Sequence, residues 1–276
     1  MSETGLLHEL AATVDPLRGL ARDAARRILE VYGKPFAVEH KADNTPVTAA
    51  DLAAHSALVA GLDIIARGIP VLSEEAADIP FAERAGWRTY WLVDPLDGTR
   101  EFVRRNGEFS VNIALIHEHR PVLGLVHMPV SDVTYFACDG EPAYRQDGDQ
   151  VPVPIHVRRP HHRPPTVAVS RSRRSQRLQR FLNLLGPHET FSMGSSLKSC
   201  LVAEGRVDIY PCFGPTSEWD TAAAQCIVER AGGHLTDLQL RPLRYNARES
   251  LLNPEFVTFG DPGGHWDRFI GEIERQ

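Results

Sequence analysis

The stretch Asp94-Pro95-Leu96-Asp97-Gly98-Thr99 restricts this chain more than any other, because it sets two carboxylates and a glycine turn directly behind Tyr90-Trp91-Leu92-Val93. Those aromatic and aliphatic residues, with β-branched Val93 among them, read as a strand. Proline offers no ladder donor and biases its predecessor away from helix, so Asp94-Pro95 is predicted to stop the strand with Asp94 at its tip. Asp97-Gly98 is a turn pair. Thr99-Arg100-Glu101-Phe102-Val103 can open a short helix, with the amides of Gly98 and Thr99 as an anion cradle. Cation ligands and phosphate donors then share one turn. Taken alone, Asp97 would be only a turn residue or N-cap, worth about 0.5–2 kcal/mol.

Two further junctures carry acids. Ser73-Glu74-Glu75 follows Ile69-Pro70-Val71-Leu72, a short apolar run expected as a buried strand. Extended backbone points Glu74 and Glu75 to opposite sides, so only one need face a site, and a solvated acidic pair needs none. Near the end of the chain, Val207-Asp208-Ile209-Tyr210 reads as a strand and Phe213-Gly214-Pro215-Thr216 as a loop. After Asp220, Thr221 to Arg230 has strong helix propensity and stops at Gly232-Gly233, which makes Asp220 either a simple N-cap or a group aimed by a helix start. Asp51 is ambiguous in the same way. Thr48-Ala49-Ala50-Asp51 resembles a capping box ahead of a helix whose apolar face is predicted as Leu52, His55, Val59 and Leu62. Its carboxylate either caps that helix or hydrogen-bonds Thr99 and helps withdraw a proton from a metal-activated water.

Four carboxylates in one pocket need a counter-charge. At about 4 Å and an effective dielectric of about 20, each like-charged pair repels by on the order of 4 kcal/mol. Two divalent cations would cancel four negative charges. Oxygen ligands of this kind suit Mg²⁺, Mn²⁺ or Ca²⁺ rather than zinc, and a phosphate ester would complete the coordination.

Together these stretches resemble the inositol monophosphatase superfamily of lithium-sensitive, Mg²⁺-dependent phosphatases, from about Lys41 to Asn253. Asp94 to Phe102, followed by Arg105-Asn106-Gly107-Glu108-Phe109, is similar within it to the 3′(2′),5′-bisphosphate nucleotidases of the CysQ type. Inositol phosphatases more often carry isoleucine and asparagine at the positions of Leu96 and Glu101. Gly194-Ser195-Ser196-Leu197-Lys198, Ala203-Glu204-Gly205 and Phe213 to Thr216 point the same way. The resemblance implies an α/β fold, a layered α+β sandwich. It implies two or three Mg²⁺ ions per site, with Mn²⁺ as a possible substitute. Glu74, Asp94 and the Leu96 carbonyl would hold one ion, and Asp94, Asp97 and Asp220 another. Glu74, Asp51 and Thr99 would carry catalysis, with Asp51 and Thr99 orienting the attacking water. Glu74, Leu96, Asp97, Gly98, Thr99 and Asp220 would surround the phosphoryl group. The implied substrate is adenosine 3′,5′-bisphosphate, hydrolysed to AMP and phosphate without a phosphoenzyme. Ser195, Ser196 and Lys198 would contact the nucleotide, although Gly-Ser-Ser alone can simply turn the chain. Arg171, Arg173 and Arg174 form another basic run, expected as a solvated helix face. An inositol phosphatase, a fructose-1,6-bisphosphatase and a non-catalytic nucleotide- or metal-binding protein are the alternatives; the intact acidic set argues against the last.

Composition bounds the rest. With 276 residues and 42% hydrophobic content the chain can bury a substantial core, as one large domain or two joined halves. A net charge of −6 leaves no footprint for a nucleic-acid polymer, so a nucleotide partner is a small ligand. Cys138, Cys200, Cys212 and Cys226 lack zinc-site spacing and suggest no disulfide framework, which suits a reducing interior. Neither a secretory leader nor a membrane span is expected. The expected location is cytoplasmic, with peripheral association at the inner membrane face known among relatives, and the expected state is a monomer or homodimer. Leu17, Leu20, Ala24, Ile28 and Val31 predict a helix over 17–31 stopped by Gly33. Val111 to Ile116, Val122 to Val126 and Val133 to Ala137 predict consecutive antiparallel strands. The proline-rich segment Gln150 to Pro165 is expected to connect rather than fold. It divides an N-terminal α+β half, 1–150, carrying most of the metal ligands, from a C-terminal α/β half, 151–276, carrying Asp220 and the nucleotide-contact loop. His161-His162, lacking a spaced partner in a proline-rich loop, is read as no metal site.

Overall fold

In the computed structural model, which describes residues 3–40, 46–161, 163–171 and 175–274, the first element is helix α1 (Glu3–Tyr32). It extends well before Leu17, through Pro16, and ends where Gly33 donates its amide to Leu29. Leu17, Ala21, Ala24 and Ile28 form its buried stripe. A two-stranded ladder, β1 (Glu39–His40) with β2 (Pro46–Val47), leads to α2 (Ala49–Ile65). The buried face of α2 differs from the expected one: Ala50, Ala54, Leu58 and Leu62 are inside, while Leu52 is 54% exposed and His55 and Val59 are partly buried. Alanines at every fourth position supply little hydrophobic signal, yet they let α2 lie close against α1.

The next strands are β3 (Val71–Ser73), β4 (Thr89–Asp97), β5 (Ser110–His117), β6 (Arg120–Met128), β7 (Val133–Cys138), β8 (Ala143–Asp147) and β9 (Val153–Ile155), which form one sheet in that order. Only β3 and β4 run parallel; every other pairing is antiparallel. The short helices α3 (Phe81–Arg84) and α4 (Thr99–Val103) flank β4. Two expectations need correction here. Asp94-Pro95 does not stop β4: pairing with β5 resumes at Asp97–Ser110 after a register shift. β3 ends opposite Val93, so the missing proline N–H deprives no partner on that side. The segment 150–165 is not purely a connector either, because Val153–Ile155 pairs with β8. As the edge strand, β9 tolerates Pro154.

The remaining elements are β10 (Thr166–Ser170), α5 (Gln176–Leu185), β11 (Glu189–Met193), α6 (Leu197–Ala203), β12 (Ile209–Cys212), α7 (Glu218–Arg230), β13 (His234–Asp237), β14 (Phe256–Phe259) and α8 (Trp266–Glu274). Their strands make a second sheet in the order β11-β10-β12-β14-β13, with β14 antiparallel to both neighbours.

Pleating sorts the side chains into layers. Trp91 and Val93 of β4 pack with α1 and α2, whereas Tyr90 and Leu92 face the other way, onto α6 and α7. The second sheet closes over those two helices through Ala168, Tyr210, Leu235 and Phe256. Its opposite face, with Val167, Ile209 and Val257, is covered by α5 and α8. The result is five layers, α/β/α/β/α, as a layered α/β sandwich. The α7 helix lies tight on β6: a Cβ added at Gly124 would overlap the Ala223 carbonyl and lie 2.9 Å from Cys226 Cβ. None of the four cysteines is in a disulfide. No helix among the described residues is long and apolar enough to cross a membrane.

Candidate active site

The register shift in β4 delivers the first two acids. Asp94 lies just before it, 1% exposed and opposite Asn112, and Asp97 ends the strand. Gly98 follows with φ 94°, in the left-handed region that favours glycine, and a Cβ there would stand 3.2 Å from the Glu108 carbonyl. That turn sends the chain into α4, whose first-turn amides lie beyond its internal ladder. From the middle layer, α7 contributes Asp220 in its first turn. Asp94, Asp97 and Asp220 each place a carboxylate oxygen within 4.8 Å of the others. Glu74, in a 3₁₀ turn just past β3, joins them through a carboxyl–carboxylate hydrogen bond to Asp94.

The electrostatics show what such a cluster needs. Desolvation, then Glu74, Asp97 and Asp220, hold the Asp94 carboxyl well above its ordinary range. Asp220 is pushed up to about 8 by burial and by Asp97, against the opposing hydrogen bond from the Ser217 amide. Carboxylates packed this closely stay ionised only beside a cation. The donors are all hard oxygens, and the Leu96 carbonyl adds another within 3.3 Å of the Thr99 hydroxyl. The residues therefore fit a divalent metal of the magnesium type and not a zinc site.

For Asp51 and Asp220 the cap does not exclude a second partner, because a carboxylate has two oxygens. Oδ2 of Asp51 accepts from the Thr48 amide and hydroxyl, both at 2.7 Å, and completes the capping box of α2. Its Oδ1 stands 3.4 Å from the Thr99 hydroxyl. Oδ2 of Asp220 accepts from the Ser217 amide at 2.8 Å. In each case one oxygen caps a helix while the other remains for the site. Burial outweighs the Thr48 hydrogen bonds and lifts Asp51 to about 6, with smaller contributions from Glu75 and Glu74.

Glu74, Asp94, Leu96, Asp97, Thr99 and Asp220 line one cleft of about 1250 Å³, walled by Leu52, Phe213, Pro215, Trp219 and Leu252, with Asp51 buried behind Thr99. Lys198, on α6, is 5% exposed at its base; it donates to the Ser195 carbonyl and lies over the Tyr210 ring. Ser195 occupies the turn before α6 with φ 48°. The Ser196 amide and hydroxyl both reach Asp97 Oδ2, at 2.5 and 2.6 Å, so it supports a metal-ligand candidate at the cleft wall. Arg171 lies on no helix. It follows β10 and is held by Glu108 through two hydrogen bonds of 2.6 Å. Arg173, Arg174 and His162 lie outside the described residues. His161 is tied by its amide and ring to Asp261, as suits a structural role.

Sequence reasoning missed Leu52 and Leu252, both 54% exposed at the cleft wall. It also passed over Asn112, which touches Ser196 at 2.9 Å. The available signal was a lone amide inside the apolar run Val111-Asn112-Ile113.

Known proteins resemble this chain over most of its length. The model of the inositol monophosphatase family matches residues 9–263. The chain is 52% identical over 246 residues to the 3′(2′),5′-bisphosphate nucleotidase CysQ of Shigella flexneri, covering 88% of this chain and 98% of that protein. The crystal structure of CysQ from Bacteroides thetaiotaomicron superposes with a TM-score of 0.77 at 39% identity, covering 91% of this chain and 97% of the other. The IMPase of Thermotoga maritima, at 22% identity, shares the fold with a TM-score of 0.79 over 95% of this chain and 98% of its own.

Proposed function

The chain belongs to the inositol monophosphatase family and is a phosphatase of the 3′(2′),5′-bisphosphate nucleotidase type, and we propose that it removes the 3′-phosphate of adenosine 3′,5′-bisphosphate, using Mg²⁺. The observation that carries this reading is the convergence of Asp94, Asp97 and Asp220 with Glu74 beside the Gly98-Thr99 turn, in a cleft wide enough for a nucleotide.

Glu74, Asp94 and the Leu96 carbonyl would hold one Mg²⁺, and Asp94, Asp97 and Asp220 another. The bound ions supply charge neutralisation and Lewis acidity toward the phosphoryl group. Gly98 and Thr99 direct main-chain amides at the phosphoryl oxygens. Thr99 Oγ1 donates to Asp51 Oδ1 and keeps its lone pairs for the attacking water, so the proton removed from that water passes toward Asp51. Catalysis on this scheme is positioning and charge compensation in an in-line displacement, with no side chain phosphorylated. Lys198 supplies positive charge at the base of the cleft for the second phosphate, and Trp219, Pro215 and Leu252 offer apolar surface to the base.

Phosphate release from adenosine 3′,5′-bisphosphate, inositol 1-phosphate and fructose 1,6-bisphosphate, each with Mg²⁺ or EDTA, tests this. Release that is fastest from the nucleotide and abolished by EDTA is expected. Preference for inositol 1-phosphate or the sugar bisphosphate, or release unaffected by EDTA, overturns the reading.

A further inference from the structure

A chain of buried polar groups runs behind the carboxylates and takes no part in the scheme above. The Ser110 hydroxyl donates to Asn112 Oδ1 at 3.0 Å, which turns the amide nitrogen of Asn112 toward Ser196 Oγ at 2.9 Å and Asp97 Oδ2 at 3.4 Å. Ser196 Oγ in turn lies 2.6 Å from Asp97 Oδ2 and 2.6 Å from the main-chain oxygen of Asp220. Its single proton serves both acceptors. Asp97 Oδ2 thus receives the Ser196 amide, the Ser196 hydroxyl and the more distant Asn112 amide.

The arrangement joins four elements that come from distant parts of the chain: β4 through Asp97, β5 through Asn112, the start of α6 through Ser196 and α7 through Asp220. Asn112 is 1% exposed between Val111 and Ile113, where an aliphatic residue would serve packing better. A buried amide needs partners, and here its partners are the support of a carboxylate in the acidic cluster. Outer hydrogen bonds of this kind orient metal-ligating carboxylates, and their removal commonly costs about 10–100-fold in metal affinity.

We propose that Asn112, acting through Ser196, is a positioning residue that occupies Oδ2 of Asp97, leaves Oδ1 to the metal centre, and ties that orientation to the backbone carrying Asp220. This rests on the reading of the carboxylates as a metal centre.

The test uses the intact chain, with Mg²⁺ binding followed as thermal stabilisation at increasing MgCl₂ and with kcat and KM measured in parallel. Asn112→Leu, which keeps the volume and removes the donor, and Ser196→Ala are expected to raise the half-stabilising Mg²⁺ concentration by about ten-fold or more. Excess Mg²⁺ is expected to restore most of the lost kcat with little change in KM for the ester. The double variant is expected to lose little more than Ser196→Ala alone, because both act on the same oxygen. Wild-type half-stabilisation in Ser196→Ala, or a kcat loss that Mg²⁺ does not recover, overturns the proposal even where Asn112→Leu fails to fold. Absence of any Mg²⁺ stabilisation in the unmodified protein overturns the metal centre itself, and this inference with it.

Discussion

Asp51 shows how one residue engages two partners that a sequence presents as alternatives. Thr48 claims one oxygen as a helix cap, and the other stands at Thr99. Only ionised Asp51 can accept a proton, and burial raises it to about 6, so kcat is expected to climb as pH rises through that region. Glu74 and Glu75 face it and reinforce the upward shift, while bound cations move the limb lower. Asp51→Asn should abolish the limb and reduce kcat by about 10²-fold or more, as read from pH–rate profiles of both proteins. A limb unchanged in Asp51→Asn would assign it to another group. The candidate ligands Glu74, Asp94, Asp97 and Asp220 were legible because each stands at a strand end or a helix start, where local signals are strong. The bonds of Ser196 and Asn112 to Asp97 were not legible, since a hydroxyl or amide declares its partner only when distant strands are assembled.

Among the elements, α7 carries most weight, because its first turn holds Asp220 and its body seals the seven-stranded sheet. Gly124 on β6 permits that seal. Gly124→Ala should drive the new methyl group into the Ala223 carbonyl, cost about 1–3 kcal/mol of stability and weaken Mg²⁺ stabilisation as α7 retreats. Chemical denaturation with and without MgCl₂ checks both effects, and wild-type stability in that variant would show that the layers adjust freely. Strands β5, β6 and β7 were evident from their apolar runs. The buried face of α2 was misread because Ala50 and Ala54 give weak hydrophobic contrast, whereas exposed Leu52 gives a strong one. Pro95 was taken as a terminator on a local rule. Strand β4 continues because its neighbour β3 has already ended, which no local rule can express.

For the whole molecule, assembly of the five layers concentrates like charge, and stability must depend on pH and metal together. Asp220 has an ordinary value of 3.8 and is raised to about 8 in the fold. Between those values the unfolded chain has released a proton that the folded chain retains, so stability falls as pH rises from about 4 to about 8. In EDTA the Tm is therefore expected to drop across that window. Added Mg²⁺ should restore it most strongly at the alkaline end, where binding displaces fewest protons. A thermal-shift series over pH, with EDTA or MgCl₂, decides the matter; a Tm indifferent to Mg²⁺ at pH 8 would contradict the metal centre. By itself the sequence determined the acids, the turn that follows Asp97, the helix starts and most strands, because these depend on neighbours within a few positions. Only the tertiary structure decided which oxygen of Asp51 and of Asp220 caps its helix, that Ser196 serves Asp97, and that Arg171 is engaged by Glu108. Those outcomes depend on distances between residues up to about a hundred positions apart, set by packing two sheets around α6 and α7.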